Sequence, residues 1–112
     1  MAARELKAKG ADVVLALTHN RLEGDRELTA AVPEIDLLLG GHDHFYRRDR
    51  KERVVKGGEE WRWLSHVMLH FPGGTNAGCS HVHTERCGVN EDYLEDPDMP
   101  TLVEKYNTMR DV

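Results

Sequence analysis

Two apolar runs that each end in histidine decide the predicted fold: VVLALTHN at 13–20 and IDLLLGGHDH at 35–44. Mostly apolar runs of this length, without polar alternation, are typical of strands buried on both faces of a parallel sheet. Between them the sequence predicts a helix over 26–32, with Asp25 as its N-cap and Pro33 as its end. A strand, a helix and a second strand predict a β-α-β unit, so we expect an α/β protein.

Other segments add local structure on both sides of this unit. The charged, helix-forming residues that precede Gly10 predict a helix capped by the glycine. Two aromatic and apolar segments flank a Pro- and Gly-rich turn, which predicts a β-hairpin, with Trp61 and Trp63 on one strand face. The predicted elements are helices over 1–9, 26–32 and 101–109, strands over 12–17 and 35–39, and a hairpin of 60–71 and 79–89 with its turn at 72–78.

Composition and charge exclude several classes of protein. The chain has 112 residues and a formal net charge of −5, so we expect one domain or part of one, and no nucleic-acid partner. We find no apolar stretch long enough to span a membrane and no apolar signal core, so the expected location is cytoplasmic. The basic stretch 47–62 fits either a solvated strand edge or a surface for an anionic ligand.

Histidines follow both predicted strands: His19 follows the first, and His42 and His44 follow the second. Because the carboxyl ends of neighbouring parallel strands meet at one edge of a sheet, we expect these side chains to converge there. Gly40 and Gly41 would allow a tight turn and a close approach of the backbone to a ligand. Imidazole and carboxylate ligands together suit manganese, iron or zinc, so the pattern predicts part of a metal site.

Segments 11–19 and 32–44 resemble the last two metal-binding blocks of the calcineurin-like metallophosphoesterases, in particular the 5′-nucleotidase branch. The resemblance implies a four-layered α/β/β/α sandwich with two metal ions at the sheet edge. Residues 1–90 would then form the C-terminal half of a catalytic domain, and 91–112 an acidic linker and helix leading toward a second domain. Shorter segments with the same resemblance are 21–28, 54–58 and 95–99.

The resemblance also implies an activity, the hydrolysis of a phosphate monoester, with a nucleotide as the expected substrate. His19 and His42 would bind one divalent metal ion and His44 the other, while Asn20 and Asp43 would support these ligands. Two such ions activate a water molecule and clamp the phosphoryl oxygens.

The chain departs from the family pattern in one respect. The earlier family blocks, which supply the bridging aspartate and the remaining ligands, have no counterpart in these 112 residues. We therefore assign no catalytic residue and expect an incomplete hydrolase site. The alternative is a non-catalytic binding or structural module derived from the same fold. Half of a sandwich would expose apolar surface, so we also expect self-association or a partner chain that covers it.

A second cluster contains two thiols and two imidazoles: Cys79, His81, His83 and Cys87. This donor set suits zinc, but four ligands along one straight strand cannot close a tetrahedron. A solvent-facing strand edge is the alternative interpretation. His66 and His70, four residues apart on a predicted strand, receive no catalytic assignment.

Overall fold

The structure, a computed structural model, describes residues 2–73 and 81–110 of this mixed α/β protein, with the side chain of His81 left out. These described residues form three helices and six strands. They are α1 (Ala2–Ala8), β1 (Leu15–Thr18), α2 (Leu22–Ala31), β2 (Leu37–Gly40), β3 (Tyr46–Asp49), β4 (Val54–Gly57), β5 (Trp63–His70), β6 (His81–Gly88) and α3 (Met99–Arg110).

Four of these strands form one sheet in the order β1-β2-β4-β3. Strands β1, β2 and β4 are parallel, whereas β3 runs antiparallel to β4. The predicted β-α-β unit is therefore confirmed as β1-α2-β2. Thr18 and Gly40 are register partners, so the carboxyl ends of β1 and β2 lie side by side. Because β4 lies between β2 and β3, the loop 41–45 crosses over the end of β4.

Helix α2 covers one face of this sheet and builds the core there. The cluster joins buried side chains of α2, β2, β4 and the segment between α2 and β2: Leu22, Val32, Ile35, Leu38 and Val54. The Arg53 guanidinium closes the end of this helix, donating hydrogen bonds to the carbonyl oxygens of Thr29, Pro33 and Ile35. Burial of apolar surface and satisfied carbonyls together hold α2 against the sheet.

The predicted hairpin is confirmed as the antiparallel pair β5–β6, while its predicted turn lies largely outside the described residues. This second sheet contacts the first on the face opposite α2. The Arg86 guanidinium lies 4.3 Å from the Trp63 ring centroid and 5.3 Å from that of Tyr46, which belongs to β3. Arg48, also in β3, donates a 2.6 Å hydrogen bond to the Thr84 carbonyl oxygen. The cation–π contact between Arg86 and Tyr46 and the hydrogen bond from Arg48 thus join the two sheets.

Two local predictions are wrong. Asp25 is not an N-cap, because α2 begins at Leu22 and Asp25 lies inside it, fully buried. Trp61 does not share a strand face with Trp63, because it precedes β5 with a left-handed φ of 58° and is 91% exposed. The predicted helix cap at Gly10 is confirmed by its φ of 92° and by the hydrogen bond from the Ala11 N–H to the Leu6 carbonyl.

Apolar surface remains exposed at one edge of the first sheet. Among the described residues β1 pairs only with β2, and its outward-facing Leu17 is 87% exposed. Helix α3 buries none of its side chains. The helices of the described segments are all too short or too polar to cross a lipid bilayer.

Candidate metal and phosphate site

An open cleft of about 800 Å³ lies at the carboxyl edge of the parallel strands. Its walls are the loop after β1, the loop after β2 and the residues that follow β4. The lining residues are His19, Arg21, Glu23, Gly41, His42, Asp43, His44, Phe45, Gly58 and Glu59. The three histidines predicted from the sequence therefore all line one cleft.

His19 and His42 form the closest pair of predicted ligands. Their ring centroids are 5.3 Å apart and the ring planes are nearly perpendicular, at 87°. Gly41 makes room for this pair, because a β-carbon there would lie 3.0 Å from the His19 Nδ1. The left-handed conformation falls on His42, with φ of 74°, rather than on either predicted glycine. The glycines thus accommodate the protein's own side chains.

His44 lies apart from this pair and has a carboxylate partner. Its Nδ1 is 2.9 Å from the Glu59 Oε2, and its side chain is 78% exposed. Sequence reasoning missed Glu59, although a signal was present. Glu59 follows β4 just beyond its carboxyl end, and that is the position at which ligand-binding residues of parallel sheets occur.

The two predicted supporting residues, Asn20 and Asp43, lie beneath the histidines and contact Lys56. The Lys56 Nζ donates a 2.7 Å hydrogen bond to the Asn20 carbonyl oxygen and lies 3.0 Å from the Asp43 carboxylate. The Asn20 side-chain amide donates to the Asp25 carboxylate at 3.4 Å. Asp43 therefore faces the interior of the protein and forms an ion pair with Lys56.

Lys56 and Asp25 form a fully buried ion pair beneath the loops that carry the histidines. Burial lowers the pKa of Lys56, but the hydrogen bonds and charges of Asp25 and Asp43 outweigh burial and raise that pKa above its ordinary value. Burial raises the pKa of Asp43, but the Lys56 ammonium prevails and holds it below its usual range. Lys56 and Asp43 therefore stay ionised at neutral pH.

The basic stretch 47–62 is largely engaged in contacts within the protein. Arg47 pairs with Asp49 at 3.2 Å, and Lys56 is buried in the ion pairs described above. Arg48 and Arg53 donate to backbone carbonyls elsewhere in the fold. Part of the stretch forms the edge strand β3, in accordance with the strand-edge interpretation.

The Cys/His cluster of the hairpin is only partly visible, because Cys79 and the His81 side chain lie outside the described parts of the chain. His83 and Cys87 share one face of β6, but four residues of a strand separate them by about 13 Å. The His83 Nε2 lies 3.2 Å from the Glu85 Oε1. Within residues 2–73 and 81–110, no group of three or more His, Cys, Asp or Glu side chains is arranged to hold a metal ion.

Comparison with known proteins adds no family to this description. No protein-family model matches the chain, and no curated protein matches it either.

Proposed function

We propose that the cleft contributes His19, His42 and His44 to a two-metal phosphomonoesterase site of the 5′-nucleotidase type. The observation that carries the proposal is the 5.3 Å pairing of the His19 and His42 rings at the ends of adjacent parallel strands. This edge is where α/β sheets place their ligands. Two imidazoles from separate loops lie side by side in an open cleft that carboxylates also line, and such donors together suit manganese, iron or zinc.

The layering of the fold supports the same proposal. Helix α2 packs on one face of the four-stranded sheet, and the β5–β6 sheet contacts the other face through Tyr46 and Arg48. This helix–sheet–sheet order would correspond to three layers of the proposed α/β/β/α sandwich. The contact of His44 with Glu59 gives further support, because metal-ligating histidines almost always bond a carboxylate, carbonyl or water through their second ring nitrogen.

Each cleft residue has a distinct role in this proposal. His19 and His42 would hold one ion and His44 a second, while Glu59 would fix the orientation and tautomer of the His44 ring. When bound, such ions lower the pKa of a coordinated water and polarise the phosphoryl oxygens of the substrate. Arg21, at the cleft wall, would attract the anionic phosphate. Three imidazoles leave coordination positions open, so further ligands must come from other residues or another polypeptide.

Titration of the purified chain with Mn²⁺ tests the proposal. We expect binding that His42→Ala weakens by more than the roughly 10- to 100-fold caused by loss of an outer supporting group. His66→Ala is the matched control, since it removes an exposed imidazole from the hairpin, outside the cleft. Hydrolysis of p-nitrophenyl phosphate is measured on the same samples. Absence of metal binding together with absence of hydrolysis would overturn the proposal.

A partner-binding module is the second candidate, and the exposed edge of β1 favours it. Leu15 and Leu17 are 49% and 87% exposed on one face of β1, opposite the face on which Ala16 packs against the core. The outer backbone groups of β1 pair with no further strand among the described residues. The free backbone groups of an unpaired apolar edge strand can bind a second strand. A second copy of the chain is the proposed partner.

Sedimentation velocity over a range of concentrations tests this second candidate. We expect a concentration-dependent dimer that Leu17→Lys weakens. Leu94→Lys is the control, because Leu94 is equally apolar and 99% exposed but lies outside both sheets. A wild-type chain that remains monomeric at every concentration argues against the module.

A further inference from the structure

We infer that Lys56 is the positioning residue of the cleft, fixing from below the two loops that carry the histidines. Its Nζ donates hydrogen bonds to the backbone oxygens of Asn20, at 2.7 Å, and Gly41, at 2.9 Å. Asn20 directly follows His19, and Gly41 directly precedes His42. One ammonium group thus holds both loops at residues adjacent to the paired imidazoles. The inference rests on the proposed function for its chemical meaning.

Two carboxylates complete the environment of this ammonium. Asp25 forms the buried ion pair with Lys56 and accepts a 2.7 Å hydrogen bond from the Thr18 hydroxyl, at the end of β1. Asp43 lies 3.0 Å from the same Nζ. The ammonium donates hydrogen bonds to Asn20, Asp25 and Gly41, and the Asp43 carboxylate lies close enough to share one of its three N–H groups. Every contact of the ammonium therefore leads to the cleft loops or to the helix that supports them.

The conformation of His42 shows why contacts with Lys56 are needed on both sides of this residue. A φ of 74° is uncommon for a residue with a side chain and persists only where the surroundings hold it. Lys56 binds the residue before His42 through the Gly41 carbonyl, and the residue after it through the Asp43 carboxylate. The strained residue is thus held on both sides, which keeps its ring beside His19.

Lys56→Met removes the ammonium but keeps most of the side-chain volume, and two measurements follow its effect. The first is Mn²⁺ affinity, which we expect to fall roughly 10- to 100-fold, as for other supporting groups of metal sites. The second is the ¹H–¹³C NMR signals of the His19 and His42 rings without metal, which we expect to shift as the rings separate.

Val54→Ala is the matched control. Val54 is as buried as Lys56, and it lies two residues earlier on the same face of β4, but it packs in the apolar core. We expect Val54→Ala to lower the melting temperature while leaving Mn²⁺ affinity and the ring signals unchanged. A merely structural role for Lys56 would make the two variants behave alike.

Asp43→Asn provides a second variant if Lys56→Met does not fold, because it weakens the same tie and keeps the Asp25–Lys56 pair. Wild-type Mn²⁺ affinity and wild-type ring signals in either folded variant would overturn the inference. If the wild-type chain binds no Mn²⁺, the proposed function fails. The NMR signals of the His19 and His42 rings then decide alone whether Lys56 positions the two loops. Signals that shift in Lys56→Met but not in Val54→Ala would then still support the positioning role, and unchanged signals would refute it.

Discussion

Gly40 lies directly against the ammonium of Lys56: a β-carbon at Gly40 would lie 2.8 Å from the Lys56 Nζ and 2.5 Å from the Asp25 Oδ2. Gly40 is the last residue of β2, and its backbone adopts no positive φ. Its lack of a side chain therefore serves to make space. The buried Asp25–Lys56 ion pair occupies the space that a side chain at position 40 would need.

Replacing this glycine should destabilise the protein. We expect Gly40→Ala to lower the free energy of unfolding by about 1–3 kcal/mol, because the displaced groups are buried and cannot move into solvent. Gly57→Ala, at the end of the neighbouring β4, would meet nothing within 4 Å and is expected to change that free energy by less than about 0.5 kcal/mol. Urea unfolding of both variants makes the comparison, and equal losses would contradict it.

Acidification should weaken the fold through Asp43. Its pKa in the folded protein lies below the ordinary 3.8, so its contribution to stability is complete above that value and is lost as the pH falls through the folded pKa. We expect Asp43→Asn to lose less stability than wild type as the pH falls from about 5. Urea midpoints across a pH series measure this, with exposed Asp92→Asn as the control. Parallel curves for Asp43→Asn and wild type would refute the prediction.

The Arg53 side chain stabilises the end of α2, although the Arg53 backbone adopts an unfavourable left-handed conformation. Its guanidinium bonds carbonyl oxygens at the end of α2, while its φ is 58°. We expect Arg53→Ala to lower the free energy of unfolding by about 2 kcal/mol, from the loss of charge-assisted hydrogen bonds. Arg53→Gly loses the same bonds but relieves the left-handed conformation, so it should be milder by about 1 kcal/mol. Chemical denaturation ranks the two, and a glycine variant no more stable than the alanine variant would count against this account.

The contact between the two sheets can be tested at Arg86. Its guanidinium lies over the rings of Trp63 and Tyr46, so Arg86→Gln should reduce the free energy of unfolding by about 1 kcal/mol. Arg62→Gln is the control, because Arg62 forms only exposed ion pairs with neighbouring glutamates. Thermal unfolding followed by circular dichroism measures both, and the prediction fails if the two variants melt at the same temperature.

The β-α-β unit could be predicted from the sequence because its signals are local. Two uninterrupted apolar runs with a helix-forming segment between them allow few arrangements, and parallel pairing then brings His19 and His42 to one edge. The hairpin could likewise be predicted from the sequence, because two strand-forming segments flank a turn. Chain topology alone was enough to place three histidines in one cleft.

Asp25 and Lys56 show why the rest could not be predicted. An aspartate before helix-forming residues is typical of an N-cap, but the actual partner of Asp25 is a lysine 31 positions later. No local pattern reports a pairing at that distance. The same holds for Glu59, whose contact with His44 depends on β4 lying beside β2. Long-range pairings of charged side chains therefore determine the contacts in and beneath the cleft.

The strand order also determines how the loop 41–45 stands above the sheet. To pass over β4, the chain must cover two strand spacings, about 9.6 Å. The six steps from Gly40 to Tyr46 can reach roughly 20 Å when extended, about twice what the crossing requires. The surplus length lets Asp43 reach the Lys56 Nζ at 3.0 Å while His42 and His44 line the cleft. The length of this loop, as well as its residue chemistry, therefore allows the imidazoles to line the cleft while the aspartate between them binds a buried lysine.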